Sequence, residues 1–119
     1  LAMAEYRLAL ERLRGARPDD ANLISDSFLR HFGRESVADP DPAKNPPVAE
    51  IRAAFEGVHK QALLELRTFP EGDLDSPPIK PHPLAATKLE CLRWCSHHEM
   101  LHAGQIGLLR RLLGKKYVW

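Results

Sequence analysis

Hydrophobic positions recur at helical spacing in three long stretches, and nowhere do they alternate as a strand requires. In the first, Met3, Tyr6, Leu10 and Leu13 set one apolar stripe over residues 1–14, while Arg7, Glu11, Arg12 and Arg14 fill the wet side. Gly15 suits the C′ position and Pro18 prevents continuation. In the second, Val48, Ile51, Phe55, Val58, Ala62, Leu63, Leu66 and Phe69 hold helical spacing for about six turns. This helix is expected to start at Pro46 after an Asn45 cap and to end near Thr68, ahead of Pro70. Gly57 within it costs about 1 kcal/mol relative to alanine, which close packing against a neighbour would explain. The third runs from Pro83 or Leu84 to Leu113, with Gly114 as terminator, and is about 45 Å long.

A shorter helix, capped by Asp19 or Asp20 and carrying Leu23, Ile24, Phe28 and Leu29, is expected to reach about His31. Ser25, Asp26 and Ser27 weaken its propensity. Residues 33–45 and 71–83 read as loops, because Asp39-Pro40-Asp41-Pro42, Pro46-Pro47, Pro77-Pro78, Pro81 and Pro83 forbid regular structure. Three long helices and one short one over residues 1–119 predict a single all-α domain, an up-down helical bundle.

At 119 residues the chain is one domain by size, with a core small enough that a metal or a partner subunit would help stability. A net charge of +1 with both signs mixed argues against a nucleic-acid surface. The basic runs Arg110-Arg111 and Lys115-Lys116 lie at a helix end, where cations meet the dipole favourably. No apolar run approaches the roughly 20 residues of a membrane span, and no signal-peptide layout is present. Cys91 and Cys95 lie four apart on one helix, which is not how a disulfide joins distant segments, so a reducing cytoplasm is the expected compartment. The opening Leu1-Ala2-Met3-Ala4-Glu5 begins mid-helix without a cap or an initiator methionine, so a preceding segment is expected.

Candidate chemistry concentrates in the last helix. His98 and His102, four residues apart, stack on one face with Cβ atoms roughly 5–6 Å apart, and two such imidazoles can converge on one metal ion. They share a broad face with Leu84, Thr87, Cys91, Trp94, Cys95, Leu101, Gln105, Leu109 and Leu112, so both are expected to point into the bundle. The bland reading is a pair of core histidines hydrogen-bonded to neighbours; buried imidazoles need partners, and a shared cation supplies one for both. A four-ligand zinc set with Cys91 and Cys95 is ruled out, since Cys91 and His102 are about 16 Å apart along a straight helix. The cysteines therefore read as small core residues.

His98-Glu99-Met100-Leu101-His102 also matches the HExxH metalloprotease signature, whose glutamate is the general base. The seventeen residues after His102 contain no His, Asp or Glu to complete a downstream ligand set. An all-helical domain also offers no sheet edge for an extended peptide, so the protease reading is set aside. Within the chain, His59 on the flank of its helix is a candidate third ligand, with a boundary histidine as the plainer alternative. His31, His82 and His97 are expected to be solvated.

The run His98-Glu99-x-x-His102-Ala103-Gly104-Gln105-Ile106-Gly107-Leu108-Leu109-Arg110-Arg111-Leu112-Leu113-Gly114 resembles the end of the DinB-like superfamily of four-helix bundles. That superfamily includes mycothiol-dependent maleylpyruvate isomerases and bacillithiol S-transferases. The resemblance covers essentially the whole chain. It implies a divalent metal, nickel or zinc, held by three histidines, of which His98 and His102 match the two from the last helix. The family's third histidine lies in its second helix and would fall just upstream of Leu1, with the family's first helix also upstream. The implied activity is a metal-dependent transfer joining a small-molecule thiol to an electrophile. From its place one turn beyond the pair, Gln105 is expected to orient one histidine through a hydrogen bond behind the metal. The alternatives are a non-catalytic metal-binding bundle and an interaction module without metal. A homodimer is also implied, and Met100, Ala103, Gly104 and Gly107 form a face on which another helix can approach closely.

Overall fold

The first helix is apolar on more than one side, and the fold is built around it. The computed structural model describes residues 1–116, and among them four helices and no strand. Helix α1 runs without a break through Ala2–Glu5, Tyr6–Glu11 and Arg12–Arg14, the middle stretch being π-helical, with the Arg12 N–H reaching back to the Arg7 carbonyl. Helix α2 spans Asp26–His31, α3 spans Val48–Leu66 and α4 spans Lys88–Leu112.

The single stripe expected on α1 is a wider surface. Ala2, Ala4, Tyr6, Leu8, Ala9, Leu10 and Leu13 are all buried, and Arg7, Glu11 and Arg12 are only half-exposed. The reason is position: α1 packs against both α3 and α4, so it needs apolar residues facing two neighbours. Tyr6, Ala9 and Leu10 cluster with Ala54, Val58 and Ala62 of α3, with Ile24 ahead of α2 and with Phe28 of α2. On the other side Leu8 and Leu13 meet Ala85 and Cys91, with Leu66, Phe69 and Trp94 closing the edge. Gly15 stops α1 at φ 83°, a left-handed value that suits glycine.

Three expected helix starts lie elsewhere, each because a different cap wins. Pro18–Asn22 forms a separate 3-10 turn, and α2 begins afterwards, where Ser25 Oγ accepts the Phe28 N–H at 3.2 Å. Helix α3 starts at Val48, because Asn45 is used elsewhere: its amide donates to the Asp39 and Asp41 carbonyls at 2.9 and 2.8 Å. Helix α4 starts at Lys88, because Thr87 and Glu90 form a reciprocal capping box that outcompetes the prolines upstream. The close packing expected at Gly57 is absent, since a methyl there would sit an ordinary 4.0 Å from Leu23.

Arg14, expected on the wet side, is instead the polar centre of the fold. Its side chain is 9% exposed. Its guanidinium grips Asp20 with bonds of 2.7 and 2.8 Å and Glu65 of α3 with bonds of 2.9 and 3.1 Å. Asp20 also accepts from the Arg17 N–H at 2.8 Å and from the Tyr6 hydroxyl at 3.1 Å, and Gln61 donates to Glu65 at 2.8 Å. Burial and the bond to Asp20 push the Tyr6 phenol up to about 12. Burial alone would raise both carboxyls, but the hydrogen bonds from Arg14 and its neighbours outweigh it and hold Asp20 and Glu65 below the usual carboxylate range.

A carboxyl with a depressed folded pKa stabilises the fold above its unfolded pKa and ceases to do so as pH falls through the folded value. Stability is therefore expected to decline as pH drops below about 4, and Asp20→Asn to flatten that decline in urea unfolding at stepped pH. An unchanged pH slope in the variant would contradict this.

Beyond His102, α4 projects from the rest of the described residues. Leu101, Leu108, Leu109 and Leu112 are more than half exposed, so the face expected to be buried along the whole helix is covered only in its first part. A radius of gyration of 15.7 Å, against about 13.5 Å for a compact chain of this length, reflects the projection. A methyl at Gly104 or Gly107 would meet nothing within 4 Å. No helix among the described residues is long and apolar enough to cross a membrane.

Candidate metal centre

His98 and His102 lie where α4 parts from α1, which makes them half-buried and groove-lining. Their rings are edge-on, with centroids 4.4 Å apart, and the two Nε2 atoms approach to 3.2 Å. Two nitrogens each about 2.0–2.1 Å from one ion and 3.2 Å from each other subtend about 100° at it, between octahedral and tetrahedral values. The pair thus fits two neighbouring positions of one coordination shell.

Gln105, one turn further on, holds His102 at 2.7 Å through Oε1 and Nδ1. An amide oxygen only accepts, so His102 carries its proton on Nδ1 and presents a bare Nε2 lone pair. Without an ion, the His98 Nε2–H can donate to that lone pair; moving the His98 proton to Nδ1 leaves both Nε2 atoms free to bind. Burial, then the adjacent His102, lowers the His98 pKa, which favours the neutral form that metal binding requires.

The structure brings His98, His102 and Gln105 together and leaves the other candidates apart. Among the described residues no group of three His, Cys, Asp or Glu is placed to hold an ion. His59 is half-exposed, bonded through Nδ1 to Glu5 Oε1 at 2.7 Å and stacked near Phe55, so it is not the third member of this group. His31 bonds Asn45 at 3.2 Å, His82 faces Trp94 with centroids 6.1 Å apart, and His97 is exposed with its ring edge-on to Trp94. Glu99 is exposed.

Cys91 is fully buried, and burial pushes the Cys95 thiol up to about 12 and raises Cys91 as well. Neither thiol is a nucleophile near neutral pH. Titration with a disulfide reagent at pH 8 is expected to find no fast-reacting thiol in the native protein and two after denaturation. A rapid native reaction would overturn that assignment.

The histidines open onto a groove of about 510 Å³. Its walls come from Met3 at the start of α1, Phe28 and Phe32 of the α2 region, and Ile51 and Phe55 of α3. The aromatic lining was not anticipated from the sequence; the i, i+4 spacing of Phe28 and Phe32 is its one local sign. A second hollow of about 560 Å³, beside Arg7, Arg30 and Arg34, does not include the histidines.

No curated protein and no solved structure matches the chain. The family model of the DinB superfamily matches residues 2–106, a span that takes in α1, all the described helix pairings and both histidines. The chain belongs to the DinB superfamily.

Proposed function

We propose that the protein binds one divalent metal ion, nickel or zinc, through Nε2 of His98 and Nε2 of His102. The 3.2 Å approach of those two atoms, with the His102 tautomer set by Gln105, is the observation that supports this. Leu1 at the start of α1 lines the same groove, which brings α1 beside the histidine pair.

We further propose that the site serves transfer between a small-molecule thiol and an electrophile. A bound divalent ion supplies Lewis acidity, lowering the pKa of water or a thiol beside it. The chain contributes the rest: His98 and His102 hold the ion against the groove, Gln105 keeps the His102 proton on Nδ1, and the apolar walls limit the access of water. Among the described residues the lining holds no other histidine, carboxylate or thiol, so the deprotonating influence would come from the ion and not from one of these side chains. A structural clamp draws less support, because both described ligands lie on one helix and an ion held by them alone joins no two elements.

Metal-loaded protein is expected to accelerate conjugation in a panel of low-molecular-weight thiols and electrophiles, and chelation to abolish the acceleration. Equal rates with loaded and chelated protein would leave the metal without a catalytic role.

A further inference from the structure

We propose that the groove beside the histidine pair binds an aromatic small molecule of one or two rings, placing its reactive edge at the His98–His102 end. The proposal takes the reacting end from the metal reading above, but the binding itself depends on the groove alone.

Three observations carry it. The first is size: about 510 Å³ falls within the range of ligand sites, and the space is a concavity between three elements and not one bare helix face. The second is lining chemistry. Phe28, Phe32 and Phe55 reach the groove from two different elements, and Phe28 and Phe32 are already a tilted pair with centroids 4.6 Å apart. Phenyl rings set at an angle offer both a face and an edge, the two geometries in which a further ring packs best. His98 and His102 add their imidazoles to the same lining, so a flat guest has phenyl and imidazole rings to pack against. The third is polarity. Apart from the histidines, the polar side chain lining the groove is Arg52, whose exposed guanidinium bonds Glu56 at 2.7 Å. An anionic substituent on the guest would find that cation at the rim, while the ring enters the apolar part.

The test uses naphthalene-2-carboxylate as an unreactive probe, with its fully saturated analogue as the comparison, followed by calorimetry or ligand-observed NMR. The expected result is saturable binding with a dissociation constant between about 10 µM and 1 mM, and a saturated analogue weaker by at least about threefold. Ile51→Glu, which puts a charge into the groove, is expected to weaken binding by about tenfold or more. Val48→Glu lies at the rim at a position 82% exposed, so it keeps the fold and is expected to weaken the anionic probe by about threefold or more. Chelated protein should bind the probe within about threefold of metal-loaded protein, which separates failure of this proposal from failure of the metal site. No saturable binding, equal binding by both variants, or equal affinity for the saturated analogue would overturn the proposal. So would a doubled mass by light scattering in a protein that excludes the probe, since a second copy would then fill the groove.

Discussion

Replacing Arg14 with alanine is expected to cost about 3–5 kcal/mol of folding stability, the range for removing one partner of a buried ion pair. The loss is large because this one guanidinium makes two bonds to each of two carboxylates. Asp20 and Glu65 side chains are 8% and 18% exposed, and without Arg14 both remain as charges with little access to water. The cluster also ties the end of α1 to the 3-10 turn and to α3, so its loss loosens three segments at once. Arg14→Lys should recover little, since one ammonium cannot reproduce four forked bonds to two carboxylates. For a domain near this size the melting temperature should fall by roughly 10–25 °C. A fall of less than about 3 °C, under about 1 kcal/mol, would contradict a central role for Arg14.

Loading the His98–His102 site is the second large effect. An ion that binds the folded chain alone stabilises it by about 4 kcal/mol at a thousand times its dissociation constant. Nickel(II) or zinc(II) at that excess should raise the melting temperature by roughly 10–20 °C, and chelator should reverse it. The same addition should do nothing for His98→Ala, whose one remaining imidazole holds the ion too weakly. Gln105→Leu should keep the site but weaken it by about 10–100-fold, because His102 loses the bond that sets its tautomer. A melting temperature that rises equally in the wild type and His98→Ala would place the ion elsewhere.

What could be read in the sequence follows the range of the interactions. Helix identity is a local matter, so the four helices, the Gly15 and Gly114 stops and the i, i+4 histidine pair are legible from spacing. Helix starts are also local but contested: Thr87-Lys88-Leu89-Glu90 carries a capping signature that prolines upstream obscure, and Asn45 looks like a cap until the loop claims its amide.

Long-range partners leave no such trace. Arg14 sits in a run of charged residues and looks solvated; nothing local announces that Glu65, 51 residues on, will meet it. The same is true of the groove, whose walls become neighbours only once α1, α2 and α3 are placed. The burial of α4 was overestimated for a related reason. An apolar stripe shows that a helix can be covered, and the described residues cover it, in part, only as far as His102. At the histidine pair, the His102–Gln105 contact is legible as an i, i+3 pair, whereas the Nε2 separation depends on rotamers that spacing does not specify.

The most direct test of the account is calorimetric titration of nickel(II) and zinc(II) into the wild type, His98→Ala and His102→Ala at one pH, with elemental analysis of each protein as purified. The account predicts one ion per wild-type chain and an affinity lower by about 100-fold or more in either variant, beyond the 10–100-fold typical of losing a supporting residue. Wild-type affinity that survives both substitutions would contradict it.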